Sequence, residues 1–152
     1  MNPRLPLSAF PSPAVKALAA LDKHLHTTLE SRLLELVKLR ASQLNGCAYC
    51  IDMHYKDARA AGETEQRLYG LSAWRDAPYY TEAERAALAW TEAVTRLGEH
   101  GVEDAVWVEA RRHFDAPALA NLTVAVIAIN SWNRWNVAMR TEAGHYEVGM
   151  FG

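Results

Sequence analysis

The sequence predicts an all-helical chain. Apolar residues recur at spacings of three and four, helix caps punctuate the chain, and no segment sustains the period-two alternation of a half-buried strand.

Each element follows from local chemistry. After a Pro-rich arm over residues 1–11, Ser12 and Pro13 supply an N-cap and a first helical residue, and Val15, Leu18, Ala19 and Leu21 follow at helical spacing. Apolar positions from Leu29 through Leu44 mark a longer amphipathic helix, which Asn45-Gly46 interrupts. Residues 47–61 lack Gly, Pro and any β-branched run and end at Gly62, so a helix headed by Cys47 is expected there. Thr64 caps a short helix reaching Trp74. Thr81 and Glu84 form a capping box for a helix that ends near Gly98. Gly101 to His113 is a further helix, and Asp115 caps the last one, from Ala116 to about Arg140. Asp76 to Tyr80 is expected to be a loop inside one domain spanning 1–152, with its core over 12–140 and a tail over 141–152; residues 142–152 carry no assignment.

A chain of 152 residues buries about 70% of its unfolded surface, so it needs no disulfide for stability. With 16 basic and 18 acidic side chains, no strong field points to nucleic acid or an anionic membrane. Met1 to Pro6 lack the basic start and apolar core of a secretory signal, which makes a cytoplasmic location the expectation. The most apolar stretch, Leu122 to Ile129, ends at Asn130, well short of the roughly 20 residues that cross a bilayer. It is a candidate core helix.

Both cysteines of the chain stand in Gly46-Cys47-Ala48-Tyr49-Cys50-Ile51-Asp52-Met53-His54. A loop this small removes little chain entropy, so the pair is a poor staple and points to redox chemistry or metal binding. On a helix, Cys47, Cys50 and His54 share one face. The free amides and dipole of the first turn stabilise a thiolate, and an imidazole one turn on can exchange a proton with Cys50. Glu35 lies twelve residues before Cys47. A turn at Asn45-Gly46 could fold its helix back so that its carboxylate faces the thiols, either raising its own pKa or holding His54 protonated.

A zinc site with Cys47, Cys50, His54 and Glu35 as ligands is the rival, although structural zinc usually draws its ligands from loops. The thioredoxin fold is not expected, because its CxxC sits in a βαβ pattern that this chain lacks. His24, His26, His100, His113 and His145 have no partner motif and are assigned surface or capping roles. The five tryptophans are assigned to core or subunit packing. Arg75 and Arg134 are candidates to pair with carboxylates across helices or subunits, Tyr49 is a candidate wall of the pocket, and Asp52 diverges from the Cys50 and His54 side.

Glu35, eleven residues, Cys47-Ala48-Tyr49-Cys50 and three residues to His54 together resemble the alkylhydroperoxidase D (AhpD)-like proteins of the carboxymuconolactone decarboxylase family. The likeness extends through Glu35 to Ser42, Trp74-Arg75, Glu84 to Ala89 and, more loosely, Asn133 to Asn136, and covers roughly residues 12–140. It implies an AhpD-like helical bundle, a homo-oligomer (trimer or hexamer), and peroxidase or disulfide-reductase activity in antioxidant defence without a cofactor or metal. By the resemblance, Cys50 attacks a hydroperoxide, Cys47 condenses with the resulting sulfenic acid, Glu35 and His54 relay protons, and a dithiol or protein reductant resets the pair. Dipole reasoning alone favours Cys47 as the nucleophile; the His54 spacing and the resemblance favour Cys50. Tyr49 stands where better-known members carry a histidine, and its unperturbed pKa of about 10 prevents it from acting as a base near neutral pH. Disulfide reduction therefore stays open beside peroxide reduction. The lactone decarboxylation that names the family does not call for the CxxC, and a non-catalytic zinc module is the remaining alternative.

Overall fold

A computed structural model of the chain describes residues 3–4 and 12–151. Seven α-helices follow in order: α1 (Pro13–Leu25), α2 (Ser31–Asn45), α3 (Ala48–Ala60), α4 (Glu65–Gly70), α5 (Glu82–Thr95), α6 (Asp104–His113) and α7 (Ala116–Met139), with a 3₁₀ turn at Leu71–Ala73 after α4. Among the described residues the extended pairing is a single isolated bridge between Gly98 and Gly101. The all-α class expected from the sequence is the observed one.

The caps act where the sequence placed them. Ser12 accepts from the Ala14 amide, Thr64 from that of Arg67 and Asp115 from that of Ala118. The Thr81/Glu84 capping box closes reciprocally. Boundaries shift where backbone conformation outweighs residue pattern. The second helix begins at Ser31 rather than Leu29, capped by Glu30, whose carboxylate accepts from the Arg32 and Leu33 amides. The helix expected from Thr64 to Trp74 tightens into the 3₁₀ turn. Residues 98–101 form a tight turn with Gly101 at φ +76°, so α5 stops at Thr95 and α6 starts only at Asp104.

At the centre lies α2, packed against α3, α5 and α7. Leu34, Leu36, Val37 and Leu39 are fully buried. They feed three apolar clusters: one under α3, α4 and the Trp74 to Tyr80 segment, one between α5, α6 and α7, and one beneath α1. Burial on every face also draws Glu35, Lys38 and Ser42 of α2 inside. Buried polar groups must be paired, and how these are paired defines the site. At the N-terminus, Arg4 reaches the last turn of α7 through bonds to the Met139 and Ala138 carbonyls, groups a helix end leaves free. The rest of the expected N-terminal arm, residues 1–2 and 5–11, lies outside the described residues, as does Gly152.

Candidate active site

The turn from α2 into α3 is made by Gly46, whose φ of +65° is a left-handed conformation that costs a side-chain-bearing residue free energy. Its amide and that of Cys47 return to the Gln43 and Ser42 carbonyls, closing α2. Cys47 is then not a helical residue but the N-cap of α3, and its Sγ accepts the Cys50 amide at 3.3 Å. The two sulfurs are joined in a disulfide, with Cα atoms 5.3 Å apart. Both residues are buried, Cys47 at 1% and Cys50 at 0% exposure.

One turn further along α3, His54 is buried beside Glu35 of α2, with Nδ1 2.8 Å from Oε2. The carboxylate can only accept, so Nδ1 carries the proton, and Nε2 is left buried without a protein partner. Burial pushes the Glu35 carboxyl up, but the bond from His54 and the positive charges of His54, Lys38 and His26 outweigh it and hold the group below its ordinary range. The expectation that this carboxylate would either raise its own pKa or keep His54 protonated therefore resolves toward the ionised carboxylate. Behind it Lys38, 1% exposed, places Nζ 2.9 Å from Asp22 Oδ1 and 3.0 Å from His26 Nε2 of α1's C-terminal cap.

Three contributors were not singled out from the sequence. Asn136 of α7 directs Nδ2 to the Cys50 sulfur at 3.4 Å. Asp57, one turn beyond His54, brings a carboxylate oxygen into a cluster with Glu35 and His54 whose donor atoms all lie within 4.8 Å of one another. Tyr146, from the unassigned tail, is buried and donates its hydroxyl to Asp57 Oδ1 at 2.7 Å. As a cation site the cluster is poorly arranged: Nδ1 and Oε2 already face each other, Asp57 Oδ1 accepts the hydrogen bond of the Tyr146 hydroxyl, and the sulfurs are spent on each other. The four-ligand zinc cage of the sequence analysis is not assembled in this state.

The remaining sequence candidates divide. Asp52 pairs with Lys56 and the Gly144 amide rather than with the sulfurs. Tyr49 is half-buried beside the pair. Arg75 does pair with a carboxylate, Glu92, and lies over the Trp74 ring. Arg134 instead bonds to Asn130 on its own helix. It lines a cleft of about 460 Å³ with Thr95, Arg96, Leu97 and Ile127 that does not contain the sulfurs. Of the tryptophans, Trp74 and Trp90 are core residues, whereas Trp107 is 48% exposed.

The family model for the carboxymuconolactone decarboxylases matches residues 13–93, a span holding Glu35, both cysteines, His54 and Asp57. The Bacillus subtilis protein YdfG is 38% identical over 144 residues, 94% of this chain and 98% of YdfG. The chain belongs to the carboxymuconolactone decarboxylase family. A crystal structure of ATU0492 from Agrobacterium tumefaciens, for which a role as the antioxidant defence protein AhpD has been suggested, superposes with a TM-score of 0.90 at 42% identity, covering 95% of this chain and all of that one. The debrominase Bmp8 shares the fold at a TM-score of 0.77 and 23% identity over 86% of this chain and 70% of its own. The same fold is therefore also that of a debrominase. Among the described residues, no single helix is long and apolar enough to cross a membrane.

Proposed function

We propose that the chain is a thiol-dependent peroxidase or disulfide reductase of the AhpD type, acting through Cys47 and Cys50. What carries this is a buried, bonded cysteine pair beside an equally buried His54–Glu35 pair. The likeness to ATU0492 supports antioxidant defence as the setting.

In the reduced state, the Cys50 thiol gives its proton to the free Nε2 of His54 while Nδ1 stays bonded to Glu35. The thiolate attacks the terminal oxygen of a hydroperoxide; the O–O bond breaks, Cys50 becomes a sulfenic acid, and the imidazolium returns the proton to the departing alkoxide. Cys47 then attacks the sulfenic sulfur, releasing water and closing the disulfide. An external dithiol resets the pair by two thiol–disulfide exchanges. Asn136 donates to the sulfur of Cys50 and so stabilises negative charge there. A disulfide substrate would enter the same cycle in place of the peroxide. Assembly as a homo-oligomer accompanies the proposal, because Ile127 and Val137 on α7 and Val148, Met150 and Phe151 in the tail expose apolar side chains.

A peroxidase assay driven by a dithiol reductant tests the proposal on wild type, Cys50→Ser and Cys47→Ser. Turnover is expected to vanish in both variants. Retention of activity in both would overturn it.

A further inference from the structure

The tail is fastened to α3 along one side. Gly144 donates its amide to Asp52 at 3.2 Å, Lys56 donates to the Tyr146 carbonyl at 2.9 Å, and Tyr146 donates its hydroxyl to Asp57 at 2.7 Å. Tyr146 is 6% exposed, and its ring stacks on Phe151. These contacts reach Asp57, a half-buried acid that shares space with the His54–Glu35 pair.

Facing Asp57 are Tyr146 from the tail, Glu35 and Lys38 from α2, and His54 from its own helix; Tyr49 in turn senses the charges of Asp52 and Asp57. Two carboxylates this close repel unless a cation lies between them, and His54 supplies that cation only when protonated. Burial pushes the Asp57 carboxyl up, the Tyr146 hydroxyl pulls it down, and the charge of Glu35 pushes it up again. A phenol near neutral pH donates its proton to an ionised carboxylate, so the bond from Tyr146 favours the charged form of Asp57.

Given the redox function proposed above, we propose that Tyr146 is a positioning residue for it: through Asp57 it maintains a second negative charge beside His54, which makes His54 a stronger acceptor for the Cys50 proton. The step is a proton transfer alone. The S–H bond breaks, sulfur keeps the electron pair, and the proton passes to Nε2 while Nδ1–H remains on Glu35. Asp57 also repels the thiolate, but it lies seven residues from Cys50, about 10 Å along a helix, and only three from His54. Its attraction for the imidazolium therefore prevails.

Cys47→Ser leaves Cys50 as the sole thiol, since the chain has two cysteines. In that background the rate of alkylation by iodoacetamide against pH gives the midpoint of Cys50 ionisation. Adding Tyr146→Phe, which keeps the ring, is expected to raise the midpoint by about half a pH unit, and Asp57→Asn by about a unit. The two together should move it no further than Asp57→Asn alone. An unchanged midpoint in the Tyr146→Phe variant, or full additivity of the two shifts, overturns the proposal. Should Asp57→Asn fail to fold, Tyr146→Phe decides by itself, with circular dichroism checking its fold. Alkylation needs no peroxide, so this result is separable from failure of the redox function, which would show as a wild-type pair that peroxide does not oxidise.

Discussion

Glu35 on α2 and Glu92 on α5 are both acids drawn in among helices, and both are held below their ordinary pKa against a burial cost by donors from other elements. The donors differ. Glu92 takes Arg40 Nε at 2.8 Å and Nη2 at 2.7 Å, the Trp74 indole at 2.8 Å, and Arg75. None of these groups gives up a proton near neutral pH, so the cluster acts as a strut tying α2, α5 and the Trp74-Arg75 segment together. Glu35 has as its one direct side-chain donor the imidazole of His54, a group able to give or take a proton, whose second nitrogen has no protein partner. A buried carboxylate becomes a structural tie or a proton relay according to whether its partner can lose the proton.

Substitutions should break this contrast in opposite ways. The largest effect is expected at the relay: Glu35→Gln or His54→Ala should lower the rate of peroxide-dependent dithiol oxidation by about a hundredfold, the usual scale for losing a positioned acid–base group. Stopped-flow kinetics would show it. Glu92→Ala should leave the rate per folded molecule near that of wild type and instead destabilise the fold by about 2 kcal/mol in urea denaturation. That figure lies below a fully buried pair because Arg75 is 60% exposed. If Glu92→Ala stops turnover in a folded protein, the distinction between strut and relay fails.

A smaller effect sharpens the same comparison. Because the folded-state pKa of Glu92 is depressed, its ion pairs contribute stability above the unfolded value of about 4.3, and that contribution is lost as the pH falls through the lower folded value. The stability gap between wild type and Glu92→Ala should therefore be full at pH 7 and close below about pH 4. Denaturation midpoints measured across that range would check it.

The sequence made some of these features legible and hid others for physical reasons. Caps are local chemistry, so Ser12, Thr64, Asp115 and the Thr81/Glu84 box could be read from neighbouring residues. The CxxC, His54 and Glu35 could be placed because helix geometry and one short turn connect them. Asn136 and Tyr146 could not: they reach Cys50 and Asp57 across 86 and 89 positions of sequence, through the docking of α7 and the tail. Lys38 received no assignment from the sequence and is almost fully buried, because α2 is packed against α3, α5 and α7. Helix α6 starts at Asp104, three residues beyond the expected Gly101, because Gly98 and Gly101 close a turn that residue periodicity does not register. Nothing in the spacing of Asp57 marked it apart from the many acids that face solvent.

The proposed function requires that Cys50 and Cys47 form one peroxide-oxidised pair served by His54 and Glu35. Mass spectrometry of the fully reduced protein after one equivalent of an alkyl hydroperoxide tests it directly. The expected product is one Cys47–Cys50 disulfide per peroxide consumed, with Cys47→Ser trapping a sulfenic acid on Cys50. Two free thiols beside unconsumed peroxide would contradict it.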